Sequence, residues 1–206
     1  LLAPAGDMEC LKWAIEGGCD AVYLGGNHFG ARAYSKNFSD EELALAIKYA
    51  HQYGVKVYLT CNTLIYDEEV EDFLKFVRYA HKSGIDAVLI QDLGMYDLIH
   101  QKFPNLEIHA STQLHIHNLD GALVAKKLGF KRIVLARETD IDTIKEIKEK
   151  TSLDIEVFVH GSLCVSYSGQ CLFSSLVGGR SGNRGACAGS CRLPYDIVDK
   201  NNNVLN

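Results

Sequence analysis

No apolar run in this 206-residue chain approaches the roughly 18 residues that a membrane span requires. The N-terminus does not read as a signal peptide, because Leu1–Asp7 runs straight into a strand and a helix start. A cytoplasmic protein with no membrane partner is therefore expected. No Gly-x-Gly-x-x-Gly follows the first strand and no phosphate-loop motif occurs, which argues against the nucleotide-binding open sheets. His-Glu-x-x-His and Gly-x-Ser-x-Gly are missing too, so neither zinc-protease nor serine-hydrolase machinery is signalled. With a net charge of −5, the chain has no global basic footprint for nucleic acid. One local absence is sharper. Between Gly161 and Tyr195 there is no acidic residue, while Arg180, Arg184 and Arg192 are all there. That positive patch on an acidic body either compensates anionic thiolates or contacts an anion or phosphate. An initiator Met is also missing, and the chain stops just after a new strand pattern, so a fragment of a longer protein is expected.

What is present begins with a repeated pattern. An amphipathic stretch ends, a glycine follows, and then comes a short β-branched run: Gly18–Gly25, Gly54–Leu59, Gly84–Ile90 and Gly129–Leu135. Glycine suits the left-handed position that closes a helix, and the apolar run suits a strand buried on both faces. Glu41–Tyr53, Glu68–Ser83 and Thr139–Lys150 carry apolar residues at three- and four-residue spacing, as helices do. Adding Leu1–Ala5, Glu107–Ala110 and Ile155–His160 gives seven strands in unbroken βα alternation. The expected fold is α/β, a (β/α) TIM-like barrel with its eighth strand at or beyond Asn206. Residues 1–163 would form barrel strands 1–7, and 164–206 a Cys-rich, cluster-binding extension of the same domain.

In such barrels chemistry collects where strands end. Those ends read Asp7, Gly25-Gly26, Cys61-Asn62, Gln91-Asp92, Ser111-Thr112-Gln113, Arg137-Glu138 and His160-Gly161. Asp7, just before Met8–Ala14, reads better as a helix cap than as a catalyst. Asp92, Glu138 and His160 have no comparably strong capping role and are the candidate proton-handling groups. Arg32 (on the long Gly25–Asp40 loop), Arg137 and Arg184 are candidates for carboxylates or phosphates, and Asn62 and Gln113 for further substrate contacts. His109, His115 and His117 would share one face if extended, which makes a metal site conceivable, although loop histidines are more often plain polar surface.

Four of the seven cysteines fall in one 28-residue window: Cys164, Cys171, Cys187 and Cys191, with gaps of six, fifteen and three. Cys10, Cys19 and Cys61 lie far away, the total is odd, and a reducing compartment is expected, so a disulfide framework is not. Only Cys187-x3-Cys191 fits a zinc knuckle, and loosely. Wide spacing with Gly and Ser between ligands suits an iron–sulfur cluster better. Zinc, and a redox-active or catalytic cysteine, stay open.

The same residues carry a resemblance. Glu156-Val-Phe-Val-His-Gly-Ser-Leu-Cys164 followed by Tyr167-Ser-Gly-Gln-Cys171-Leu-Phe-Ser174 resembles the signature of the collagenase-like peptidase family of unknown catalytic type. Leu2–Asp7, Ala21–Gly26, Asn62–Leu64, His109–Gln113, Leu135–Glu138, Arg180–Gly185 and Cys191–Tyr195 agree with it, so the likeness covers essentially the whole chain. It implies less about proteolysis than about RNA. Bacterial members hydroxylate a wobble uridine in tRNA or a cytidine in ribosomal RNA, carry a 4Fe-4S cluster on four cysteines and draw on prephenate. The implied ligands here are Cys164, Cys171, Cys187 and Cys191, and the implied partners are rRNA or tRNA and a small carboxylate co-substrate. A Cys191-Arg-Leu-Pro-Tyr195 ending is closer to the rRNA type. Two other functions compete: a collagenase-like peptidase, for which Cys164 and His160 form a conceivable dyad, and a zinc-stapled RNA-binding or assembly module.

Overall fold

Apolar β-branched runs too short to be helices form the strands, and each is followed by an amphipathic helix that covers it. The computed structural model describes residues 1–161 and 163–205. Seven parallel strands pair in sequence order: β1 Leu2–Pro4, β2 Ala21–Gly25, β3 Lys56–Cys61, β4 Ala87–Ile90, β5 Glu107–Ala110, β6 Arg132–Val134 and β7 Asp154–Glu156. Helices α1 Met8–Glu16, α2 Asp40–Gln52, α3 Val70–Lys82, α4 Leu93–Lys102, α5 Leu119–Leu128 and α6 Ile141–Thr151 alternate with them, and a short α7, Phe173–Gly178, lies in the Cys-rich segment. The sheet curls into a half-barrel, the α/β TIM-like architecture expected from the alternation.

Alternation along the strands divides the core in two. Val57, Leu59, Cys61, Val88, Ile90, Ile108 and Ile133 face the helices, where they meet Leu43, Ile47, Phe73, Val77 and Ile99. Each such fully buried side chain contributes about 1.5–3 kcal/mol. Ala21, Tyr58, Ala87, Leu89 and Val134 form a smaller cluster of strand residues alone, on the opposite face. The four glycines that close helices, Gly18, Gly54, Gly84 and Gly129, all have positive φ. At Gly129 space also matters, since a Cβ would lie 2.8 Å from the Tyr96 hydroxyl oxygen.

One strand is shorter than expected. The sequence predicts strand seven over Ile155–His160, yet β7 ends at Glu156. The last bond of this ladder runs from Leu135 N–H to Glu156 O, while Ala136 N–H, which points to the other side, bonds Ile116 O. Val157, Phe158 and Val159 then run exposed toward His160. Among the described residues, β1 and β7 each pair on one side only. The last described stretch carries an antiparallel bridge between Val198 and Val204, not an eighth parallel strand.

Candidate functional site

The loops that follow the strands are tied together by buried polar side chains. Asn62, just past β3, accepts from Ala31 N–H at 2.9 Å and donates through Nδ2 to Ser111 Oγ at 3.2 Å. It thus joins the loop after β2 to the end of β5. Thr63 Oγ1 donates to Phe29 O at 3.0 Å. Asn62 is therefore a fastener of the barrel mouth, with both ends of its amide engaged.

Asp92 needs a correction. It is the N-cap of α4, its Oδ1 accepting from Gly94 N–H at 2.9 Å and Met95 N–H at 3.2 Å, while Oδ2 accepts from Ile65 N–H at 3.2 Å. The sequence expects no strong capping role here, yet helix-start N–H groups lack intrahelical partners and this strand-end carboxylate reaches them. Asp7 is the cap that the sequence suggests, accepting from Cys10 N–H at 2.8 Å and pairing with Lys36. These contacts, the Cys10 N–H first, hold its carboxyl down at about 2.

Arg137 and Glu138 meet at Ser168, which is fully buried. Ser168 N–H donates to Glu138 Oε1 at 3.1 Å and its hydroxyl to Oε2 at 3.3 Å, while Arg137 Nε donates to the same Oγ at 3.0 Å. Arg184 is engaged more fully. It forms a bidentate pair with Glu69 at 2.8 and 2.6 Å, donates to Leu64 O, and lies 4.2 Å from the Tyr66 ring centre. The Arg184 hydrogen bonds hold the Glu69 carboxyl below its usual range. Arg184 is thus not the open anion clamp that the sequence suggested, because its charge is met within the fold. Arg32 is exposed, and so is His160.

These contacts share one consequence. The Cys-rich segment is strapped across the barrel mouth. Ser168 ties it to the loop after β6, and Arg184 to the loop after β3. Ala33 N–H bonds Gly185 O at 2.9 Å, tying it to the loop after β2. Gly169 (φ +72°) passes so close to the loop after β5 that a Cβ there would meet Gln113 O at 2.5 Å. Beside the points where the strap is tied, Leu64, Gln91, Asp92, Leu93, Gln113 and Leu114 border an open depression of about 410 Å³. Gln91 is buried, and its Oε1 has no hydrogen-bond partner among the described residues.

Within the strap Cys164, Cys187 and Cys191 are exposed and Cys171 is half-buried. The donor chemistry fits a four-thiolate cluster: there is no competing carboxylate between Gly161 and Tyr195, and Gly189 N–H points to Cys187 Sγ at 3.3 Å. Arg192 also donates to Leu163 O, bringing the Cys191 turn to the Cys164 end. The side chains themselves are not gathered. Among the described residues no three His, Cys, Asp or Glu stand close enough to hold a metal ion. The three-histidine site does not form either. A 3₁₀ turn at Thr112–Leu114 ends the extended run, leaving His109 buried in β5 while His115 stacks edge-on to Tyr167.

One polar group escaped the sequence reading. Inside the half-barrel, Arg132 lies 3.5 Å from Asp154, 3.6 Å from Glu156 and 5.3 Å from the Tyr58 ring centre, with His109 edge-on to that ring at 4.8 Å. Burial raises the Glu156 carboxyl against the pull of Arg132. Burial, with Arg132 adding to it, lowers His109 to about 3. The missed signal was charge at inward positions of β5–β7, where apolar residues are the rule.

Comparison with known proteins matches residues 6–205 to the family described as Peptidase family U32. A 23S rRNA 5-hydroxycytidine synthase of Escherichia coli is 43% identical over 100% of this chain and 31% of its own length. A tRNA hydroxylation protein P of Helicobacter pylori is 40% identical over 98% of this chain and 48% of its own. A collagenase of Porphyromonas gingivalis is 35% identical over 99% and 51%. The chain thus spans 31% to 51% of the length of these relatives. Among solved structures, a U32 peptidase superposes with a TM-score of 0.64 at 13% identity, covering 76% of this chain and 66% of that one, and supports the fold alone.

Proposed function

The chain belongs to peptidase family U32, and from that premise we propose that it is the barrel portion of an RNA hydroxylase acting on a pyrimidine of rRNA or tRNA. The observation that carries this reading is the 43% identity, over the entire chain, to a relative named as an rRNA hydroxycytidine synthase. The strap supports it because the segment tied across the mouth, where barrel enzymes place their chemistry, is the one that carries the four cysteines. Cys164, Cys171, Cys187 and Cys191 would hold a 4Fe-4S cluster, which when bound supplies one-electron chemistry. Their exposed loops would have to draw in to do so. The protein's own groups then bind and orient. Arg32 and Arg137 lie at the mouth for a carboxylate-bearing co-substrate such as prephenate. Glu138 and His160 are the exposed groups that could hold a proton there, Glu138 from its bonds to Ser168.

Nucleoside mass spectrometry of rRNA and tRNA from a deletion strain tests the activity, and one hydroxylated pyrimidine should disappear. Anaerobically purified protein should carry iron and sulfide near four per chain, and one zinc without sulfide would sink the cluster. The collagenase relative favours a second reading, a peptidase. Gelatin cleavage by the pure protein, lost on Cys164→Ala, would establish it in place of the first.

A further inference from the structure

The open depression at the ends of β3, β4 and β5 has an unusual lining for a site expected to handle acidic RNA. Among the described residues it is bordered by leucines, a glycine, two side-chain amides and one carboxylate, and by no cation. A phosphate or carboxylate has nothing there to neutralise it. The one charge, Asp92, already has both oxygens on backbone N–H groups. What remains is an open space of about 410 Å³, of small-ligand volume, bordered by leucines and amide groups.

Gln91 supplies the second observation. It sits at the end of β4, only 8% exposed, and its Oε1 is buried without a partner. Buried acceptors are almost always satisfied, and leaving one bare costs free energy that a ligand donor recovers. A carboxamide presents an acceptor and a donor side by side. The Watson–Crick edges of cytosine (N4–H and N3) and uracil (N3–H and O4) present the complementary pair. A base inside such a pocket must leave its stack, as in other enzymes that act on a base. Leu64, Leu93 and Leu114 offer the apolar faces against which it would lie.

We infer that this depression is the nucleobase site, that it takes an unstacked pyrimidine, and that the Gln91 carboxamide, turned outward by rotation of its side chain, reads the base edge. The inference rests on the RNA-hydroxylase reading and sharpens it, because it puts the base beside the cysteine strap, which crosses Gln113 at Gly169.

The test is complementation of the deletion strain with the full-length gene, read by nucleoside mass spectrometry. Wild type restores the hydroxylated pyrimidine. Gln91→Leu, which keeps the volume and removes the amide, lowers it by about tenfold or more, the scale of one bidentate base contact, at unchanged protein level and Tm. Should Gln91→Leu fail to accumulate, Leu93→Trp serves instead. It fills the cavity from a half-exposed position outside the core and should give the same loss. Full restoration by the folded variant overturns the pocket while leaving the RNA activity standing. A deletion strain that retains every hydroxylated nucleoside overturns the RNA reading and the pocket with it. Ultraviolet cross-linking of the purified full-length protein to 4-thiouridine-substituted total RNA gives an independent readout. Adducts on the Leu93 or Leu114 peptides support the pocket, and adducts confined to other surfaces overturn it.

Discussion

Arg184 meets Glu69 across 115 residues of sequence, and no local pattern announces that pair. The same holds for Asp92, whose second oxygen reaches back 27 residues to Ile65. Sequence can say that a charged residue stands where a strand ends. It cannot say whether the charge faces a ligand or a distant part of the fold, because that depends on how loops cross in space. The Arg184 pair is about a quarter exposed on both sides, so its loss is closer to that of a surface pair than of a buried one. Arg184→Ala should cost about 1–2 kcal/mol in urea unfolding and hasten proteolysis within residues 164–195. Arg184→Lys should not rescue it, since an ammonium gives neither the bidentate fork nor the ring stacking. The pH dependence has a definite sign. The Glu69 carboxyl is held below its ordinary 4.5, so the pair contributes fully above that value and is lost as pH falls through the folded one. Wild type and Arg184→Ala should therefore converge in acid. An equal gap at pH 7 and in acid would show that the charge pair is not what holds the strap.

Among the elements, helices and strands were the legible part. The βα alternation, the closing glycines and the capping of α1 by Asp7 follow from spacing and residue type, and the seven strands stand in the expected order. The end of β7 was not legible. Val157–Val159 has ideal strand residues, yet the β6–β7 ladder ends at the Leu135 N–H to Glu156 O bond, and pairing is a property of two segments rather than one. The strap was only half legible. Its cysteines were evident, while its attachment depends on two glycines. At Gly169 and Gly185, both at positive φ, a Cβ would run into the backbone of Gln113 and Gly30. Gly169→Ala and Gly185→Ala combine a left-handed penalty of about 1–2 kcal/mol with a clash that neither backbone can relieve locally. Each should release the strap, seen as faster proteolysis between Cys164 and Tyr195, with global unfolding changed far less. Gly178→Ala is the control, since nothing lies within 4 Å of its Cβ position. If all three behave alike, the strap is not held by close backbone approach.

At the scale of the molecule, the inner wall of the half-barrel has two characters. Toward β1–β4 it is lined by Leu2, Tyr23, Ala21, Ala87 and Leu89, and toward β5–β7 by His109, Arg132, Asp154 and Glu156. Such a wall makes stability depend on pH through a buried group rather than through surface charge. His109 is 1% exposed and is faced by Tyr58, Arg132, Glu107, Asp154 and, at longer range, Lys56. Its folded pKa is about 3 against an ordinary 6.5. Between those values the unfolded chain binds a proton that the folded chain refuses, so stability must fall as pH drops from 6.5, by up to about 1.4 kcal/mol per pH unit. Above pH 6.5 both states are neutral at this site and the effect vanishes. Urea unfolding at pH 7, 6 and 5 separates this from carboxylate titration, most of which lies lower. His109→Gln removes the ionisable ring while keeping a polar side chain, so it should be the less stable protein at pH 7, through lost packing against Tyr58. Its deficit should shrink at pH 6 and again at pH 5, because only wild type pays the proton penalty. A deficit constant across the three pH values would mean that His109 titrates normally and that the inner wall is open to water.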